Sequence, residues 1–103
     1  MKDMGKLIKQ AQQVQERLAE MQARLAEKTV EATSGGGMVA VVMNGKHEVV
    51  SLKIVPEVVN PSDVEMLEDL IIAAIGEART RVDDMIRNEM SSLTGGLPIP
   101  GLF

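Results

Sequence analysis

Cysteine, tryptophan and tyrosine do not occur in this chain, and its only phenylalanine is Phe103. The lack of cysteine excludes disulfide staples, thiolate metal ligands and thiol catalysis, and it suits a reducing compartment. With so few aromatics the core must be built from aliphatic residues and methionine. No platform exists for stacking splayed-out single-stranded bases. Long apolar runs are missing too: the longest strongly apolar one, Leu70 to Ile75, is six residues, far short of the ~20 that cross a bilayer. The N-terminal lysines are not followed by the apolar segment of an export signal. A cytoplasmic protein without a membrane partner is therefore expected.

What the first quarter of the chain does contain is a strict 3,4 alternation of apolar residues: Met4, Leu7, Ala11, Val14, Leu18, Met21 and Leu25. A stripe this narrow is a helix-packing seam, and it calls for a helical partner in its own chain or another. Good helix formers run from about Asp3 to Lys28 with no interior glycine or proline after Gly5. The same spacing gathers Lys2, Lys6 and Lys9 on the side away from the seam.

After Lys28 the period changes. Thr29, Glu31 and Thr33 alternate with Val30, Ala32 and Ser34, as in a half-buried strand. Gly35, Gly36 and Gly37 form a tight connection, and Met38 to Met43 is an unbroken apolar run. Asn44-Gly45 suits a two-residue hairpin turn, and Lys46 to Val55 is the return strand, with Glu48, Val50, Leu52 and Ile54 on one face. The result is a three-stranded antiparallel meander. Its middle strand is apolar on both sides, whereas a sheet with one wet face alternates. Two helices cover one face, so the other meets a second subunit or is covered by its own edges and loops. A homodimer is the first of these readings, cyclic dimers being the commonest symmetric assembly.

A second helix follows, with Asn60 as cap, Pro61 at its first position and Asp63 at its third. Its apolar face is broad, from Val64 to Leu93, and a length of roughly 30 residues gives about 45 Å. Gly95 and Gly96 end it. The apolar, proline-stiffened stretch Leu97 to Phe103 cannot form a regular element, so it docks in a groove or hangs free. The expected fold class is α+β: a long N-terminal helix, a three-stranded meander and a long C-terminal helix, in one domain over residues 1–94 with a tail over 95–103.

Catalytic chemistry finds little support. His47 is the only histidine and sits at a turn, with no serine or cysteine spaced to pair with it. The triple glycine joins strand to strand and lacks the lysine of a phosphate-binding loop. The carboxylates of the second helix are too regular to single out an acid and a base, and the eight methionines fall mostly at core positions. No enzyme, cofactor, metal site or small-molecule substrate is expected.

Charge supplies the functional signal. The net charge of -4 and pI near 4.9 argue at first sight against nucleic acid. Yet residues 2–28 hold six bases against four acids, and residues 61–93 hold three bases against eight acids. Lys2, Lys6 and Lys9 stand in the first turns of a helix, where acids are favoured. A local departure of this kind often marks function. On a dimer the stripe would occur twice and grip phosphates of a duplex with little regard to sequence.

At this point GKLIKQAQQVQERLAEMQARL (Gly5 to Leu25), SGGGMVAVVMNGKHEVVSLKI (Ser34 to Ile54), DVEMLEDLIIAA (Asp63 to Ala74) and the PGLF ending together resemble the YbaB/EbfC family of nucleoid-associated proteins, over essentially the whole chain. The resemblance implies a helix, sheet, helix fold, a homodimer with projecting helices, and binding of double-stranded DNA at the cytoplasmic nucleoid. It attributes the DNA contacts to the helices. The matching basic positions are Lys2, Lys6 and Lys9, then Arg17 and Arg24, with Arg79, Arg81 and Arg87 on the second helix. Ala40 and Val42 stand where members commonly carry a basic residue and a threonine, and Gly76-Glu77-Ala78 replaces the usual Asn-Asp-Ala. A prefoldin-like chaperone or protein interaction module is the alternative, since two long helices joined by short strands is also its plan.

Overall fold

A computed structural model describes residues 2–93. Helix α1 (Lys2–Glu27) leads into strands β1 (Thr29–Ser34), β2 (Val39–Asn44) and β3 (Val49–Ile54), a 3-10 turn (Pro56–Val58) and helix α2 (Val64–Leu93). The strands form one antiparallel sheet in the order β1-β2-β3. The expected α+β meander between two long helices is the observed fold, and the tail over 95–103 lies outside the described residues.

The core lies between α2 and one face of the sheet. Ala32, Val39, Val41 and Met43 from the strands meet Ala74, Ala78 and Val82 from α2, all nearly inaccessible to solvent. The helical residues recur every four positions, and their small size lets the helix backbone approach the sheet closely. Ser34 Oγ fixes the approach by donating to the Leu70 carbonyl at 2.6 Å. The helix covers β1 and β2 and leaves β3 as an edge.

Four sequence expectations need correction. First, the turn after β2 is not a two-residue hairpin. The Asn44 and Glu48 backbones pair across a three-residue loop, the His47 amide donates to the Asn44 carbonyl, and His47 carries the positive φ of 62°. Asn44 Oδ1 accepts from the Lys46 and Glu48 amides, which holds the loop in this form. Gly45 serves another purpose: its amide donates to the carbonyls of Leu25 and Lys28 at 2.9 and 3.1 Å, so the hairpin caps the end of α1.

Second, a register shift between Val42 and Met43 places Val49 opposite Met43 and Leu52 opposite Val41. Val49 therefore shares the face of Leu52 and Ile54, because Val50 is the extra residue of a bulge. Third, α2 begins at Val64. Asp63 is its cap, its carboxylate accepting from the Met66 amide, while Asn60 closes the preceding turn. Replacing Asp63 with alanine is expected to lower unfolding free energy by about 1 kcal/mol, measurable by urea denaturation. Fourth, the middle strand is sealed on one face only: Val39, Val41 and Met43 are buried, but Ala40 and Val42 are half-exposed.

The glycine connection between β1 and β2 is as tight as expected. Gly35, Gly36 and Gly37 all have positive φ, and the Gly37 amide donates to the Ser34 carbonyl. A β-carbon could be added at Gly36 without contact, so its requirement is conformational alone.

Candidate nucleic-acid interface

The seam of α1 has its partner for only half its length. Met21 and Leu25 are 4% and 5% accessible and Leu18 is half-buried, whereas Met4, Leu7 and Val14 are 57%, 62% and 52% accessible. Over the described residues, α2 reaches only the C-terminal half of α1. Its last turns lie beside the C-terminal half of α1, and Ser92 lines a hollow with Arg17, Glu20 and Arg24. Upstream of Arg17, no described part of α2 covers α1, and the helix projects from the sheet. The molecule accordingly measures 74 × 21 × 17 Å with a radius of gyration of 19.6 Å, against about 13 Å for a rounded chain of this length.

The basic side chains separate into two groups on this frame. Arg24 faces Glu89 at 3.5 Å, and Lys28 bonds the same carboxylate. The Lys28 hydrogen bond, with the charges of Lys28 and Arg24, holds Glu89 below its ordinary carboxylate range. Because the folded value is depressed, this contribution to stability is present at neutral pH and is lost as pH falls through that value. Arg81 donates to the Glu31 carbonyl at 2.7 Å and to Glu77 at 3.3 Å, and Arg87 pairs with Asp84. These three arginines are occupied within the chain, Arg24 across the two helices.

Lys6, Lys9, Arg17 and Arg79 are exposed and have no ion pair or hydrogen bond among the described residues. Lys2 opens α1, but its side chain lies outside the described part. On a helix of about 100° per residue, Lys6, Lys9 and Arg17 fall within an arc of about 80°, centred roughly 120° from the seam. They form one stripe along the flank of the projecting segment rather than directly behind the seam. Arg79 stands apart on α2. His47, the turn residue, approaches Asp83 with Nε2 2.8 Å from Oδ1 and so ties the hairpin to α2. Among the described residues no cluster of three histidine or acidic side chains is arranged to hold a metal, and no helix is long and apolar enough to cross a membrane.

The model of the YbaB/EbfC DNA-binding family matches residues 1–97. The chain belongs to this family. A nucleoid-associated protein of Thermoanaerobacter pseudethanolicus is 54% identical over 101 residues, covering 98% of this chain and 91% of the relative. One from Pelotomaculum thermopropionicum is 52% identical, with 98% and 96% covered. The crystal structure of an uncharacterized Helicobacter pylori protein superposes with a TM-score of 0.76 over 85% of this chain and 92% of that one, at 22% identity. That likeness bears on the fold alone. Ala40 lies on the half-exposed sheet face away from α2, directly opposite the exposed Lys53 of β3.

Proposed function

We propose that this protein is a non-enzymatic, nucleoid-associated DNA-binding protein that holds duplex DNA through the basic flank of α1, with little sequence preference, as a homodimer in the cytoplasm. The observation that carries the reading is the stripe of Lys6, Lys9 and Arg17: cations on a projecting helix, with no internal acid engaged to them, in a member of a DNA-binding family. Lysines so placed meet phosphates rather than base edges, which gives affinity without sequence information. Lys2 continues the stripe in sequence. Arg79 is the secondary candidate, and Arg24, Arg81 and Arg87 have intramolecular work that competes with a phosphate.

A second copy supplies the second stripe. Support for it comes from edge strand β3, where Val49, Val50 and Leu52 are exposed apolar residues beside Val55. An uncovered apolar edge of this kind invites pairing with another chain. Leu52→Glu is expected to shift the protein from dimer to monomer in sedimentation equilibrium while retaining helical circular dichroism, because Leu52 is not part of the sealed core. A variant that stays dimeric would put the interface elsewhere. The DNA reading itself is tested by titrating salt in a duplex-binding assay. Six neutralised phosphates give a log-log slope of roughly -5, and binding that is absent at ~50 mM salt would overturn it.

A further inference from the structure

The cationic flank of α1 does not end at Arg17. On the helical frame Lys6, Arg17 and Arg24 fall within an arc of about 20°, so Arg24 prolongs the row toward the sheet. Lys28 extends it again: it lies just past α1, yet its amide donates to the Arg24 carbonyl at 3.0 Å and keeps it on the helical path. Lys6 and Arg17 are unengaged among the described residues, whereas Arg24 and Lys28 converge on one acid of α2. Lys28 bonds Oε1 of Glu89, and Arg24 faces Oε2 at 3.5 Å. The side chains of Arg24 and Lys28 are 55% and 48% accessible, and that of Glu89 only 15%. The acid is sheltered on the α2 side while both cations open to solvent.

We infer that Arg24 and Lys28 form a phosphate seat at the inner end of the α1 stripe, and that Glu89 is its internal occupant, a carboxylate that a DNA phosphate has to displace. The inference rests on the duplex-binding reading above. Its geometric support is that each oxygen of Glu89 is met by a different cation, the places that two non-bridging phosphate oxygens would take. Charge supports it as well: two cations share one carboxylate, so the cluster keeps a surplus positive charge. Ion pairs this accessible are weak enough to be exchanged. Glu89 therefore acts as a brake, and it shortens the stripe available to DNA to its outer part. Glu20 lines the hollow that Arg17 and Arg24 share, but it forms no ion pair among the described residues and holds neither arginine.

The test is a salt titration of binding to a mixed-sequence duplex by the full chain and its variants. Glu89→Gln keeps the size of the side chain and removes its charge. It should raise affinity about 10-fold at ~50 mM salt and steepen the log-log slope by about 2, one phosphate on each of two copies at about 0.9 apiece. Adding Arg24→Gln and Lys28→Gln to Glu89→Gln should return the slope to that of the parent. Glu20→Gln removes the same charge nearby without freeing a held cation, and it should leave the slope within about 0.5 of the parent. An unchanged slope or weaker binding in Glu89→Gln, no return in the triple variant, or an equal steepening in Glu20→Gln would each overturn the brake. Should Glu89→Gln lose helical circular dichroism, Arg24→Gln/Lys28→Gln with Glu89 retained decides the matter. Its slope should match the parent, and a slope flatter by about 2 would show that both cations already meet phosphates. Absence of binding by the parent at ~50 mM salt would overturn the duplex reading itself, whereas parent binding with no response to Glu89→Gln removes the brake alone.

Discussion

Replacing Lys2, Lys6 and Lys9 together with glutamate is expected to lower affinity for duplex DNA at least ~100-fold at ~50 mM salt and to flatten the salt dependence to the share that Arg17 contributes. The reasoning is electrostatic. Each lysine that neutralises a phosphate releases condensed counterions, contributing about 0.9 to the log-log slope. Three lysines on each of two copies account for the slope of roughly -5. Glutamine at the same positions should remove the lysines' share of the slope without the added repulsion, so the two series separate lost contact from charge reversal. Arg81→Gln and Arg87→Gln are the informative controls. Their guanidinium groups already serve Glu31, Glu77 and Asp84, so each should alter the slope by less than about one. An arginine effect as large as the lysine effect would move the interface to α2.

The second large effect concerns stability and a residue far from the lysines. Gly45→Ala is expected to cost about 3 kcal/mol, lowering the melting temperature by roughly 10–20 °C. A β-carbon at Gly45 would stand 2.2 Å from the Leu25 carbonyl oxygen and 2.7 Å from its carbon. The obstacle is backbone, so no rotamer change relieves it, and moving the loop away breaks the amide contacts to Leu25 and Lys28 that close α1. By contrast, Gly76→Ala meets nothing within 4 Å in the middle of α2. It should raise stability by up to about 1 kcal/mol through helix propensity alone. Thermal denaturation of the two variants side by side distinguishes close approach from conformational freedom. Equal, small effects would show that the hairpin does not hold the helix end.

Sequence made the elements legible because their periods are strong. The 3,4 spacing from Met4 to Leu25, the alternation from Thr29 to Ser34 and the glycines at 35–37 each point to one local structure, and each is observed. Turn chemistry was less readable. Asn44-Gly45 matches a two-residue turn, yet the Asn44 side chain bonds two amides and transfers the positive φ to His47. The glycine is needed because of Leu25, twenty residues earlier, and local sequence carries no sign of such a contact. The bulge at Val50 escaped for a related reason: alternation shows which residues differ, but not where a strand gains one extra.

The candidate site divides in the same way. Eight basic residues were visible as candidates, and helical spacing placed Lys2, Lys6 and Lys9 together. Which of the eight remain free depended on carboxylates and carbonyls distant in sequence: Glu89 for Arg24 and Glu31 for Arg81. Periodicity, composition and local charge are properties of neighbouring residues, so the sequence by itself determined the helices, the strand order and the existence of a cationic helix end. Pairing across the chain requires three-dimensional proximity. Only the tertiary structure could decide that α2 covers the C-terminal half of the α1 seam, that a hairpin glycine caps α1, and that Lys6, Lys9 and Arg17 of α1 are left unengaged while Arg24, Arg81 and Arg87 are not.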